Sequence, residues 1–384
     1  MIKVLITGGR GFLGRNLAAH LAERKDCQTR LFAKQDSPEL LNQLLSEADV
    51  LYHLAGVNRP VDPKEFEAAN VQLTYQICQA LRTSGRTPAI VFSSSTQAAL
   101  DNAYGASKRR AEDVLRQFAA QTGARVRIFR LKNLFGKWCR PNYNSVTATV
   151  CHNIARDLPV ILSDPGREVE LSYVDDVVAA FVKELGCAAA VEEVPDDIPS
   201  RRIMLGALAG MIQTFRDMRE TAIIPDLVDN FNRALYATYL SYVPDAAWEH
   251  TLEIKSDDRG SLAEFVKQTH FGQIFLSRTR PGVTRGNHYH HTKTEKFLVV
   301  DGDALIRMRA IFGGPVQEYR VRGTEYKVID IPPGLTHSIT NVGDREMVTL
   351  FWSSEIFDPD RPDTYFLPVD FEERVNQATD RMYA

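Results

Sequence analysis

Tyr104 and Lys108 stand four residues apart in the segment YGASK, a separation that places both side chains on one face of a helix. A phenol ionises near ~10, too high for easy proton exchange at neutral pH. A neighbouring ammonium favours the phenolate and tunes the proton transfer that accompanies hydride delivery to a carbonyl. The same ammonium is placed to hold a nicotinamide ribose. Shortly upstream, Ser93, Ser94, Ser95 and Thr96 close the apolar segment AIVF. They offer hydroxyls at the carboxyl edge of a sheet, where ligands of α/β folds bind. Taken alone, Y-x-x-x-K is most often a surface pair on a helix, so its weight depends on its company.

That company begins at the N-terminus. Thr7-Gly8-Gly9-Arg10-Gly11-Phe12-Leu13-Gly14 follows an apolar strand and opens a helix. In this setting Gly8 permits a tight turn, Gly11 lets the backbone approach a pyrophosphate, and Gly14 allows close helix–strand packing. The helix N-terminus adds N–H donors and positive potential. Gly8, Arg10, Gly11, Phe12, Leu13 and Gly14 are therefore the expected cofactor contacts. At the end of the second strand, where NAD enzymes place a carboxylate for the adenosine ribose, the chain has Ala33-Lys34-Gln35. Arg10 and Lys34 suit the extra phosphate of NADPH, which a guanidinium grips bidentately. Asp36 remains an alternative partner for a ribose hydroxyl.

A second group of chemically able residues lies far downstream. His288, His290, Glu295 and His337 fall within segments that alternate like strands. Alternation puts His288 and His290 on one face, and a barrel can bring Glu295 and His337 beside them. Three imidazoles and a carboxylate suit a first-row divalent ion, Zn by preference, and such an ion with open positions polarises a sugar carbonyl.

Two kinds of scaffold must position these groups. Up to about residue 190, β-type runs (KVLITG, TRLFA, DVLYHLAG, AIVFSSS, VRIFRL) alternate with helical patterns, which requires a mostly parallel, doubly wound α/β domain. Residues 190 to 200 read as an acidic loop, and Leu205 to Tyr242 as helices interrupted by Pro225, closing the first domain. The expected division is 1–245 and 246–384. Beyond residue 250 short alternating segments (LAEFVKQ, QIFLSRT, KFLVVDG, ALIRMRA, YKVIDI, MVTLFW) predict an all-β sandwich or barrel. The 384 residues carry 46 basic and 49 acidic side chains without like-charged blocks, so neither nucleic acid nor membrane is an expected partner. Cys27, Cys78, Cys139, Cys151 and Cys187 lack paired spacing and read as buried thiols of a reducing cytoplasm. The first residues run directly into a strand, leaving no room for a signal peptide, and a cytoplasmic location is expected.

The fixed order of TGGRGFLG, HLAG, SSST, YGASK and SYVDD resembles the extended short-chain dehydrogenase/reductases, over roughly residues 1–245. That resemblance makes Tyr104 the acid/base, Lys108 its tuning cation and Ser95 the carbonyl donor, with Ser94 and Thr96 as alternatives. Lys132, in RLKNLFG, would lie close to bound substrate. Gly282, His288, His290, Glu295 and Gly302 fit the first cupin motif, and Pro332, Gly334, His337 and Asn341 most of the second, with Tyr326 where a glycine is usual. DDRGSLAEF and TRGNHYH are also similar to metal-free sugar-nucleotide 3,5-epimerases, in which the position of His288 is a general base. His291, Lys293 and Lys296 are further candidates for that role. As a whole the chain resembles the bifunctional capsule and O-antigen enzymes that make UDP-N-acetyl-L-6-deoxytalosamine on the way to UDP-N-acetyl-L-fucosamine. This implies a UDP-linked 4-keto-6-deoxy amino sugar as substrate, C3 epimerisation in the cupin, C4 reduction with NADPH, and a homodimer. Competing readings are a 4,6-dehydratase or 4-epimerase with retained NAD and a merely dimerising cupin, or a sugar-nucleotide sensor. Thr96-Gln97, in place of an acidic pair, disfavours elimination.

Overall fold

The computed structural model describes residues 1–186, 192–193 and 197–371, and Cys187 lies outside them. The chain divides into two compact units. One comprises Met1–Thr214 and Asp229–Ala246; the other comprises Phe215–Val228 and the chain from Ala247 onward. The segment around Pro225 thus packs with the second unit, where Ile223 bridges to Lys267.

In the first unit β1 (Ile2–Thr7), β2 (Cys27–Phe32), β3 (Val50–His53), β4 (Ala89–Ser95), β5 (Val126–Leu131) and the short β8 (Glu192–Glu193) form a parallel sheet. Its order is β2-β1-β3-β4-β5-β8, with β2 at an edge. α1 (Phe12–Ala22) and α7 (Val174–Lys183) cover one face. α2 (Pro38–Glu47), α4 (Leu73–Ser84) and α5 (Ala103–Thr122) cover the other. Between β3 and α4 the chain runs through a short α3 (Lys64–Phe66) and a π-helical stretch, Glu67–Gln72. The order reverses direction between β1 and β3, which opens a crevice above their carboxyl ends. A small sheet of β6 (Asn133–Phe135), β7 (Glu168–Tyr173) and β9 (Arg201–Met204) completes the unit, with helices α6 (Val146–Ile154), α9 (Asn230–Leu240) and, up to Thr214, α8 (Leu205–Thr221) in the surrounding chain.

The second unit is the expected antiparallel barrel of two sheets. One is ordered β10 (Ile254–Asp257), β11 (Gly260–Gln268), β12 (Gly272–Thr279), β19 (Met347–Ser353), β14 (Glu295–Asp301), β17 (Val328–Ile331). The other runs β16 (Gln317–Arg322), β15 (Asp303–Ala310), β18 (Leu335–Asn341), β13 (Thr284–Tyr289), β20 (Tyr365–Phe366). Phe297, Val299, Ile306, Met308, Ile339, Met347 and Phe351 fill its core. Their alternation along each strand sets one face inward.

Two expectations are corrected. Cys78 and Cys151 are buried, but Cys27 and Cys139 are partly exposed, because their segments lie toward the surface of the unit. His290 does not share a strand with His288: β13 ends at Tyr289. The pairing of β13 with β18 shifts register between Gly286 and His288, and Asn287 takes a left-handed φ of 57° there. This bulge re-aims the strand end.

Candidate active and metal sites

The glycine turn has the geometry its residues require. Gly8 has φ 70°, and a Cβ there would lie 2.8 Å from the Ala55 nitrogen. A Cβ on Gly14 would lie 2.3 Å from the Gly8 carbonyl oxygen. α1 begins at Gly11 with no side-chain cap, so its first N–H groups face the crevice without an internal side-chain acceptor. A cradle that any side chain would fill, at an uncapped helix start, fits a dinucleotide pyrophosphate. Arg10 lines a cavity of about 380 Å³ with Gly9, Arg15, Ala18, Leu31 and Trp138. Its guanidinium lies 4.0 Å from Asp36, whose other oxygen accepts from the Ala33 N–H. Lys34, 91% exposed, instead extends toward Glu65, 3.7 Å away.

Asn102 caps α5 by accepting from the Gly105 N–H, which fixes the helix start where Tyr104 sits. The four-residue spacing continues one step further than the sequence reading took it, through Tyr104 and Lys108 to Glu112. Burial raises the Tyr104 phenol while the nearby Ser95 hydroxyl lowers it, leaving a net upward shift. Ser95 also accepts from the Gln97 N–H at 3.2 Å. Ser94 is spent elsewhere, donating to the fully buried Glu112 carboxylate. Ser93 turns to the His53 carbonyl. Of the three serines, Ser95 is the one whose hydroxyl acts on the phenol.

Lys108 is buried, with its ammonium 4.4 Å from the centre of the Phe92 ring. Burial pushes it down to about 8, against the pull of Glu112. Arg130 (2.6 and 3.0 Å) and Arg116 (3.1 Å) neutralise Glu112 in turn and hold its carboxyl below the usual range despite burial. Asn70, in the π-helical stretch, receives the Val57 N–H and donates to the Val57 carbonyl and to Ser107. It thereby ties the HLAG turn to α5. Lys132 is engaged with Glu170 at 3.1 Å and Ser200 at 3.0 Å.

In the second unit, His288, His290, Glu295 and His337 present ligand atoms all within 4.8 Å of one another. β13 and β18, paired at His288 and His337, come from one sheet, and Glu295 opens β14 of the other. Glu295 Oε2 lies 3.4 Å from His290 Nε2 and 3.3 Å from His337 Nε2. Both nitrogens are buried without a hydrogen-bond partner. Orphaned, convergent imidazole nitrogens beside a carboxylate are what a divalent ion needs, and these residues fit one. His290 Nδ1 is engaged by the Asp363 carbonyl at 2.6 Å, which leaves Nε2 as the ligand atom.

The other base candidates are not among the four ligand positions. His291 packs its ring against Tyr365 and Tyr289. Lys293 is buried with its ammonium on the Pro362 carbonyl, 2.7 Å. Lys296 pairs with Asp330 on an exposed edge.

Residues 4–193 match the NAD dependent epimerase/dehydratase family, and residues 255–365 match the polysaccharide biosynthesis C-terminal domain. The UDP-2-acetamido-2,6-beta-L-arabino-hexul-4-ose reductase of Pseudomonas aeruginosa is 44% identical over 364 residues, 95% of this chain and 98% of its own. The crystal structure of the capsular polysaccharide assembling protein CapF from Staphylococcus aureus superposes with a TM-score of 0.87 at 43% identity, covering 95% of this chain and 99% of that one. The UDP-glucuronic acid 4-epimerase of Bacillus cereus, solved with NAD, shares only the fold (TM-score 0.53, 16% identity, 63% of this chain and 98% of that one). Matched through both units by a relative of nearly equal extent, the chain belongs to the family of the UDP-2-acetamido-2,6-beta-L-arabino-hexul-4-ose reductases.

Proposed function

We propose that this chain epimerises C3 of a UDP-2-acetamido-2,6-dideoxy-hexos-4-ulose in its cupin and then reduces the C4 ketone in its first unit, giving UDP-N-acetyl-L-6-deoxytalosamine. The observation that carries the reduction is the placement of Tyr104 and the buried Lys108 one turn apart on α5, with the Ser95 hydroxyl acting on the phenol. NADPH, when bound, supplies the hydride to C4. Ser95 holds the carbonyl oxygen, and Tyr104 donates its proton to that oxygen as charge develops on it. Lys108 stabilises the resulting phenolate and holds the nicotinamide ribose. Arg10, beside the glycine turn, takes the 2′-phosphate, with Lys34 adding longer-range positive potential.

In the cupin, His288, His290, Glu295 and His337 would hold a divalent ion, Zn by preference. Bound there, such an ion would supply positive charge toward the 4-keto oxygen. The C3 proton is acidified by the same ketone that later accepts the hydride, which places epimerisation first.

The test is incubation of the protein with UDP-linked 4-keto-6-deoxy amino sugars in D₂O, with and without NADPH, and product identification by NMR. Deuterium enters C3 without NADPH, and its addition yields the C4 alcohol with one NADPH oxidised per sugar. Interconversion of the C4 alcohols of a UDP-sugar with no added nicotinamide nucleotide would instead support a 4-epimerase with retained NAD.

A further inference from the structure

The segment that follows the barrel's last long strand returns to the histidine cluster. β20 pairs with β13 so that Phe366 faces His288 and Tyr365 faces Tyr289. Thr336, adjacent to His337, donates to the Leu367 carbonyl, and the Leu367 N–H donates to the Asn287 carbonyl at 2.9 Å. At the head of this strap, Asp363 has a left-handed φ of 38°. An aspartate adopts that conformation at a cost, and such strain is retained where the surroundings enforce it.

Its contacts supply the enforcement. One carboxylate oxygen accepts from the His291 N–H at 2.9 Å. The other accepts from the N–H groups of Thr292 (3.0 Å) and Lys293 (2.9 Å), and from the Thr292 hydroxyl (3.0 Å). The carbonyl of the same residue engages His290 Nδ1. A single strained residue therefore holds both the ring of one ligand and the loop between that ligand and Glu295.

We propose that Asp363 is a positioning residue for the metal centre, coupling the seating of the 362–369 strap to the ligand geometry of His290 and Glu295. The inference rests on the reading of the histidine cluster as a metal site. A ring held with Nε2 inward loses less rotational freedom on binding an ion, and an outer partner of this kind typically accounts for about 10- to 100-fold in affinity. Because the same residue clips the strap, ion binding and strap seating stabilise each other.

The test uses the full-length protein, stripped with a chelator and titrated with Zn²⁺ against a competing fluorescent chelator. Hydrogen exchange of residues 291–293 and 362–369 is followed with and without Zn²⁺. The wild type binds one Zn²⁺ per cupin, and Zn²⁺ slows exchange in both segments. Asp363→Ala weakens Zn²⁺ binding by about 10- to 100-fold and frees the strap even when loaded. Asp363→Asn, isosteric but a poorer acceptor for three N–H groups, falls between, and it carries the test should the alanine variant fail to fold. Thr292→Val, which keeps all three N–H contacts, stays near wild type. A wild type that binds no divalent ion overturns the metal reading itself. Wild-type affinity in folded Asp363→Asn and Asp363→Ala, or strap exchange indifferent to Zn²⁺, overturns the coupling alone.

Discussion

Tyr104 lies near the Ser95 hydroxyl and one helical turn before the buried Lys108, and removing its oxygen separates chemistry from binding. Tyr104→Phe should lower kcat for ketone reduction at least ~10²-fold, the usual scale for a lost acid/base group. NADPH affinity by fluorescence titration should change little, since the phosphate cradle is untouched. The pH profile follows from Lys108, pushed down to about 8. As pH rises through that value the ammonium is lost, so kcat/KM for reduction should fall above about pH 8. Glu112→Gln removes the charge that raises Lys108 and should move the fall to lower pH. A pH–rate series on both proteins checks this. Stability runs the other way. Between about 8 and the unfolded value of ~10.4 the unfolded chain holds the extra proton, so this group's contribution to stability rises with pH there and its penalty is complete below. At this scale the sequence was partly legible. Tyr104 and Lys108 share a short spacing that local geometry interprets. Asp363 and His290 are 73 residues apart, and Asn70 and Ser107 are 37 apart, so no local periodicity relates them.

Among the elements, the turn between β1 and α1 is the tightest joint, with Gly14 packed onto Gly8 and Gly9. Gly14→Ala would put a Cβ 2.7 Å from the Gly9 Cα, against backbone that cannot swing away. Overpacking of this kind costs about 1–3 kcal/mol. The variant should show a lowered melting temperature and, because the displaced turn is the phosphate cradle, an NADPH Kd raised by at least ~10-fold, measurable by calorimetry. The α/β alternation was readable because β3 and β4 open on continuous apolar runs, β1 and β5 are mostly apolar, and each helix has its own period. In the barrel, β15 and β19 alternate cleanly and were legible. The end of β13 was not, since the bulge at Asn287 depends on its pairing with β18. The π-helical turn that delivers Asn70 likewise has no distinct signature in EAANVQ.

Across the whole molecule, the groups assigned to hydride transfer and those assigned to the ion lie in units with separate hydrophobic cores. Separate cores fail separately. His337→Ala, or removal of the ion by chelation, should abolish deuterium uptake at C3 while a sugar already inverted at C3 is still reduced by NADPH. Tyr104→Phe should do the converse. NMR of both reactions, with thermal melting of the ion-free protein, checks the pair; loss of both activities with an unaltered fold would contradict independent sites. Among the described residues no helix is long and apolar enough to cross a membrane.

The edge position of β2 bears on how long a dinucleotide stays. Among the described residues no strand lies outside β2 in this sheet, and Lys34, just beyond its end, is almost wholly solvated. An adenosine half held chiefly through its phosphates should leave readily, so the nicotinamide nucleotide is expected to be exchanged at each turnover. Denaturing freshly purified protein and assaying the supernatant should therefore recover well under one nicotinamide nucleotide per chain, and initial rates should saturate with added NADPH.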